Sequence, residues 1–155
     1  MSKEVVSKHF GAVSYTDEQI IHFPVGLPAF EEHRQFLLME QEATAPVVFL
    51  QSLSWPELSF ITLPLLLVDP SYRLALSPED LELLALPTDR QPALGAEVYG
   101  LAIITVPEGG PPTANLAAPI VVNTRTRQAV QAILADAGYS HAHALSAPEE
   151  ETECS

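Results

Sequence analysis

Apolar positions in this chain come in short runs, each closed by proline, glycine or a polar turn, and few keep a helical period. Residues 12–15 alternate, with Val13 and Tyr15 on one side, and 19–23 form a second β-prone run before Pro24-Val25-Gly26-Leu27-Pro28 breaks the chain. Further short strands are predicted at 36–39, 47–52, 59–63, 72–76 and 120–123. Residues 97–106 carry Val98, Tyr99, Leu101, Ile103, Ile104 and Val106, a near-continuous apolar character that suits a strand buried on both faces. Strands and turn signals at this frequency predict a mainly β, single-domain fold of barrel-like form.

Local helix signals are few and are best placed at one site. Ser77 can cap, Pro78 suits the first helical position, and Glu79 and Asp80 favour the positive end of the helix dipole, so one short helix is predicted over 77–84. Residues 128–137 are ambiguous, because their alanines favour helix while Val130, Ala132 and Leu134 also permit alternation. Residues 107–113, with Gly109-Gly110 and Pro111-Pro112, predict an irregular connection that cannot carry a regular ladder. The end, 147–155, combines Pro148 with Glu149, Glu150, Glu151 and Glu153. It has too little apolar surface to offset its ordering entropy and is expected to be a disordered acidic tail, which leaves 1–146 as the domain.

Charge narrows the function. Asp and Glu number 20 against 7 Lys and Arg, for a formal net charge of −13. Nucleic-acid binding neutralises phosphates with Lys and Arg, so direct DNA or RNA binding is not expected. A basic protein partner would be attracted and oriented by the same field. Residues 1–8 carry Lys3, Glu4 and Lys8 and lack the continuous apolar stretch of a secretory leader. The longest apolar run, 63–68, contains Pro64 and stops at Asp69, far short of the roughly 20 residues of a membrane span. A cytoplasmic protein with no membrane partner is expected. The single cysteine, Cys154, has no partner for an internal disulfide and no fixed base beside it.

Candidate chemistry is sparse. On a strand, His141 and His143 would point to one face, as a metal-binding barrel requires, but no third ligand follows at a suitable spacing; the other reading is two surface histidines. His9, His22 and His33 occur singly. Glu31-Glu32, Glu40 with Glu42, and Glu79-Asp80 with Glu82 lack the alternate spacing around a glycine that a calcium loop needs, and read as solvated faces. Gly109-Gly110 lacks the Lys-Ser/Thr of a phosphate loop, and no Gly-x-Ser-x-Gly nucleophile motif occurs. No cofactor, metal or catalytic residue is expected, and the chain does not read as an enzyme.

Three segments carry information beyond composition. They are Ile20-Ile21-His22-Phe23-Pro24-Val25-Gly26-Leu27-Pro28-Ala29-Phe30, then Val48-Phe49-Leu50-Gln51-Ser52 leading to Leu58-Ser59-Phe60, and Thr113-Ala114-Asn115-Leu116-Ala117-Ala118-Pro119-Ile120-Val121-Val122-Asn123 followed by Gln131. In this order, across 14–139, they resemble the FliW family of flagellar assembly factors. Two departures occur: Ala29 stands where the family usually has glycine before the phenylalanine, and the 107–112 loop is richer in proline and glycine.

The resemblance implies a compact β-barrel-like fold and favours a strand within 128–134. It also implies a protein that binds the translational regulator CsrA, relieving its repression of flagellin messenger RNA, and that binds flagellin, which competes for it. That is a partner switch without chemistry. Two other classes stay open: a flagellin chaperone with no role toward CsrA, and a small metal-binding barrel enzyme. Asn115 and Asn123 have two readings, as side-chain amides that fix the turns flanking Pro119 or as groups facing a partner. Glu31 and Glu32, directly after the 28–30 turn, are candidates for contacting basic surface, with a solvated loop as the alternative.

Overall fold

The computed structural model describes every residue except 1, 8, 9, 28, 41, 135–137 and 146–155. The expected acidic tail, Cys154 and His9 thus lie outside the described residues. The strands are β1 (Ser2–Ser7), β2 (Gly11–Thr16), β3 (Ile21–His22), β4 (Gln35–Glu40), β5 (Val48–Ser52), β6 (Ser59–Pro64), β7 (Val98–Thr105), β8 (Thr113–Asn123), β9 (Ala129–Gln131) and β10 (His143–Ala144). Among the described residues two α-helices, α1 (Leu65–Val68) and α2 (Pro78–Leu83), and two 3-10 turns, Asp17–Gln19 and Glu42–Thr44, join them.

From β3 to β8 the sheet is an antiparallel meander in which each strand pairs with its predecessor. Two strands share the flank of β8: β9 pairs with its C-terminal half through Ile120 and Gln131, and β10 with its start through Ala114 and His143. A parallel bridge between His22 and Gln128, with the His22 N–H donating to the Arg127 carbonyl at 2.9 Å, brings the two margins of the meander together. The architecture is therefore the mainly β, barrel-like one that the short runs predict. β1 and β2 form a separate hairpin. It is tied to the barrel by the Ser7 hydroxyl, which donates to Gln51 Oε1 at 2.9 Å, and by an edge-on contact of Phe10 with Phe49.

β7 is buried on both faces, as its apolar character requires. Leu101, with Tyr99 and Ile103 alongside, packs in one cluster with Ile21, Phe23, Phe36, Leu50 and Ile120. Val98 and Ala102 face a second cluster, where Leu65, Tyr72, Leu76, Leu81 and Leu84 cover the other side of the sheet. Between them Gly100 lets this layer approach, since a Cβ there would lie 2.5 Å from Leu65 Cδ1.

The helix expected over 77–84 forms as α2, with the Ser77 hydroxyl accepting from the Asp80 N–H at 3.1 Å. Of the connection predicted irregular over 107–113, residues 107–112 are irregular while Thr113 already pairs with Thr105 as the start of β8, and the strand favoured within 128–134 is the three-residue β9. One expected strand is wrong: 72–76 is irregular. Its polar backbone groups find distant side chains instead of a neighbouring strand. The Arg73 N–H donates to the Tyr139 hydroxyl at 2.9 Å, and the Gln91 amide bonds both the N–H and the carbonyl of Leu76, at 2.7 and 3.1 Å. Tyr72 and Tyr139 stack above this segment with ring centres 4.3 Å apart.

The strand predicted at 120–123 is the end of a longer one, because β8 begins at Thr113 and crosses Pro119 with a register shift against β7. The sequence pattern does not predict β1, β10, the single-turn α1 or the 3-10 turns at 17–19 and 42–44.

Candidate functional site

At one end of the β5–β6 hairpin the chain makes a two-part groove. The first part, a cavity of about 410 Å³, lies among Glu40 at the end of β4, Glu42 and Ala45 in the connection that follows, Pro46 and Val47, and Tyr99 on β7. The second, about 330 Å³, shares Pro46 and is lined by Leu63, Leu67, Val68 and the stretch from His143 to Leu145. α1 explains its apolar character. A helix of one turn can bury only one side, and Leu65 takes it, with 0% exposure, while Leu66 and Leu67 stay 40% and 57% exposed. The groove thus has an apolar wall and an acidic end. Burial, and after it the neighbouring Glu40 carboxylate, raise the Tyr99 phenol above its usual range, so the ring at that end is a neutral hydroxyl.

Of the residues singled out from sequence, Glu40, Glu42 and His143 line this groove, while Glu31, Glu32, Asn115 and Asn123 do not. The Asn115 side-chain oxygen accepts from the N–H groups of Ala117 and Ala118 at 3.1 and 3.0 Å, just before Pro119. Asn123, 2% exposed, donates to the Leu84 carbonyl at 2.6 Å, which ties α2 to β8, and accepts from the Arg125 and Thr126 N–H groups. These are the turn-fixing bonds that one of the two readings describes. Glu31 turns back on its own loop, where its carboxylate accepts from the Ala29 N–H at 3.2 Å. Glu32 is exposed and lines a cavity of about 330 Å³ with His22, Phe23, Arg34, Gln35 and Ser54.

Among the described residues no group of three or more His, Cys, Asp or Glu side chains is placed to hold a metal ion, and His143 stands on β10 beside the groove. No helix among them is long and apolar enough to cross a membrane. Sequence reasoning missed the groove although its signal was present, since the 63–68 run that supplies Leu63, Leu67 and Val68 was noted only for its brevity.

Comparison with known proteins agrees with this fold. A sequence model of the family described as FliW protein matches residues 4–145. The flagellar assembly factor FliW of Thermotoga neapolitana is 36% identical over 147 residues, spanning 92% of this chain and 93% of that protein. That of Geobacillus kaustophilus is 34% identical over 143 residues, spanning 92% and 94%. A crystal structure of the flagellar assembly factor FliW superposes with a TM-score of 0.80 at 31% identity, covering 95% of this chain and 99% of that one.

Proposed function

Given that this chain belongs to the FliW family of flagellar assembly factors, we propose that it acts in the cytoplasm by holding two protein partners in turn. One is CsrA, whose repression of flagellin translation it relieves, and the other is flagellin, which displaces CsrA. The observation that supports this reading is the groove: an apolar wall from Leu63, Leu67 and Val68 running to Glu40 and Glu42 at its acidic end. An amphipathic helix with basic residues beyond its apolar face suits such a site, and flagellin ends supply helices of that kind. CsrA, as an RNA-binding protein, presents basic surface, and the net charge of −13 steers and orients that encounter.

The test is calorimetric titration against CsrA and flagellin from the same organism, followed by addition of flagellin to the preformed CsrA complex. Both partners are expected to bind, and flagellin to release CsrA. Leu67→Ser, at a side chain that contributes little to the core, is expected to weaken flagellin binding about tenfold with an unchanged thermal midpoint. Binding of flagellin alone would leave a chaperone, and binding of neither would end the proposal.

A further inference from the structure

The β5–β6 hairpin ends, away from the groove, in a turn that holds Trp55 out toward solvent at 42% exposure. The turn is rigid because its polar groups are already used. The Ser52 hydroxyl accepts from the N–H groups of Ser54 and Trp55, both at 3.1 Å, and the Trp55 carbonyl accepts from the Leu58 N–H at 2.9 Å. Below it, the buried Gln51 amide donates to the carbonyls of Pro56 and Leu58, each at 3.2 Å. His33 stacks against the indole with ring centres 5.4 Å apart and is itself fixed to the Ser54 hydroxyl at 2.7 Å.

A large aromatic held in one orientation before any contact loses little freedom on binding, which is how tryptophan comes to anchor interfaces. The charge around it has one sign in excess. Glu31, Glu32 and Glu57 are exposed in the two loops that carry His33 and Trp55. The single Lys or Arg in them, Arg34, is exposed too, but its guanidinium is engaged, donating to the carbonyls of Pro24 and Glu31 at 2.9 and 3.1 Å. An electron-rich ring face beside carboxylates is matched by a planar cation that can stack and form hydrogen bonds at once, as a guanidinium does and an ammonium does less well.

We propose that the Trp55 turn is a second docking surface, separate from the groove, and that it takes an arginine-bearing segment of a partner protein with the guanidinium over the indole and Glu32 beside it. This goes beyond the assembly-factor reading and does not depend on it.

Trp55 is the only tryptophan, so its emission reports on this site. The full chain is titrated with the capped pentapeptide Gly-Arg-Gly-Arg-Gly and with counterparts carrying lysine or the neutral isostere citrulline. A saturable emission change is expected with arginine, with affinity about threefold lower for lysine and no saturation for citrulline. Glu32→Gln is expected to weaken the arginine peptide about threefold. Calorimetry on Trp55→Ala should show a similar loss, while Leu67→Ser leaves this binding intact. Equal binding of the citrulline peptide, indifference to Glu32→Gln, or equal saturation by spermidine would each overturn the proposal. A loss with Leu67→Ser would place the peptide in the groove and overturn it as well.

Discussion

Ala29 holds a left-handed backbone, φ 73°, a conformation that favours glycine. For a residue with a Cβ that conformation brings the side chain against the carbonyl, and the surrounding loop enforces it: Gly26 at φ 72° packs so tightly on Glu31 that a Cβ there would lie 2.5 Å from the Glu31 Cα. Ala29→Gly is therefore expected to raise the unfolding free energy by about 1 kcal/mol in urea titration. Gln51 shows the opposite case, a buried polar residue whose every group is answered. With 0% exposure it bonds the 52–58 turn through its nitrogen and accepts from Ser7 through its oxygen. Gln51→Leu should cost about 1–3 kcal/mol, Ser7→Ala less, and the double variant less than their sum, as chemical denaturation of the four proteins would show. Neither residue announced its role in the sequence. Gln51 sits in an apolar run, and its hydroxyl partner lies 44 positions away.

At the level of elements, what could be read in advance was what local chemistry decides. α2 was legible because Ser77, Pro78 and the two acids that follow are its own start signals. The meander strands were legible because alternation and turn residues mark them. The 72–76 segment was misread because the groups that satisfy its backbone, Tyr139 and Gln91, are remote in sequence. β1 carries Lys3 and Glu4 among its six residues, and its pairing came from β2 and not from an apolar pattern. The entry to β7 offers a measurable pH response. Arg90 meets Glu97 in two parallel bonds of 2.9 and 2.7 Å while the Ala93 N–H donates to the same carboxylate at 2.8 Å. The Arg90 bond above all, with the Ala93 N–H next, lowers the Glu97 carboxyl from 4.5 to about 2. A depressed folded value means that the stabilisation is present above the ordinary carboxyl range and lost as pH falls from 4.5 toward 2. The gap in thermal midpoint between the native chain and Glu97→Gln should accordingly close over that window. A constant gap would mean that the clamp acts by shape alone.

For the whole molecule, the acidity that argued against nucleic acid and for protein partners was visible from composition, while the surfaces proposed to receive such partners were not. The groove draws on β4, β6, α1, β7 and β10, and only the assembled sheet brings them to one place. Closure of the barrel has a consequence in time. Every strand from β4 to β8 pairs with one just before it, and except between β6 and β7, where 65–97 with α1 and α2 intervene, these contacts form across short loops. The bridge from His22 to Gln128 instead joins positions more than a hundred residues apart, and its loop-closure entropy places it late in folding. Ile21→Val, at a fully buried β3 residue beside that bridge, should destabilise by about 1 kcal/mol and show it as faster unfolding, with the refolding rate nearly unchanged in stopped-flow experiments. The barrel would then be a sheet first and a closed one last, with its lifetime set at the seam.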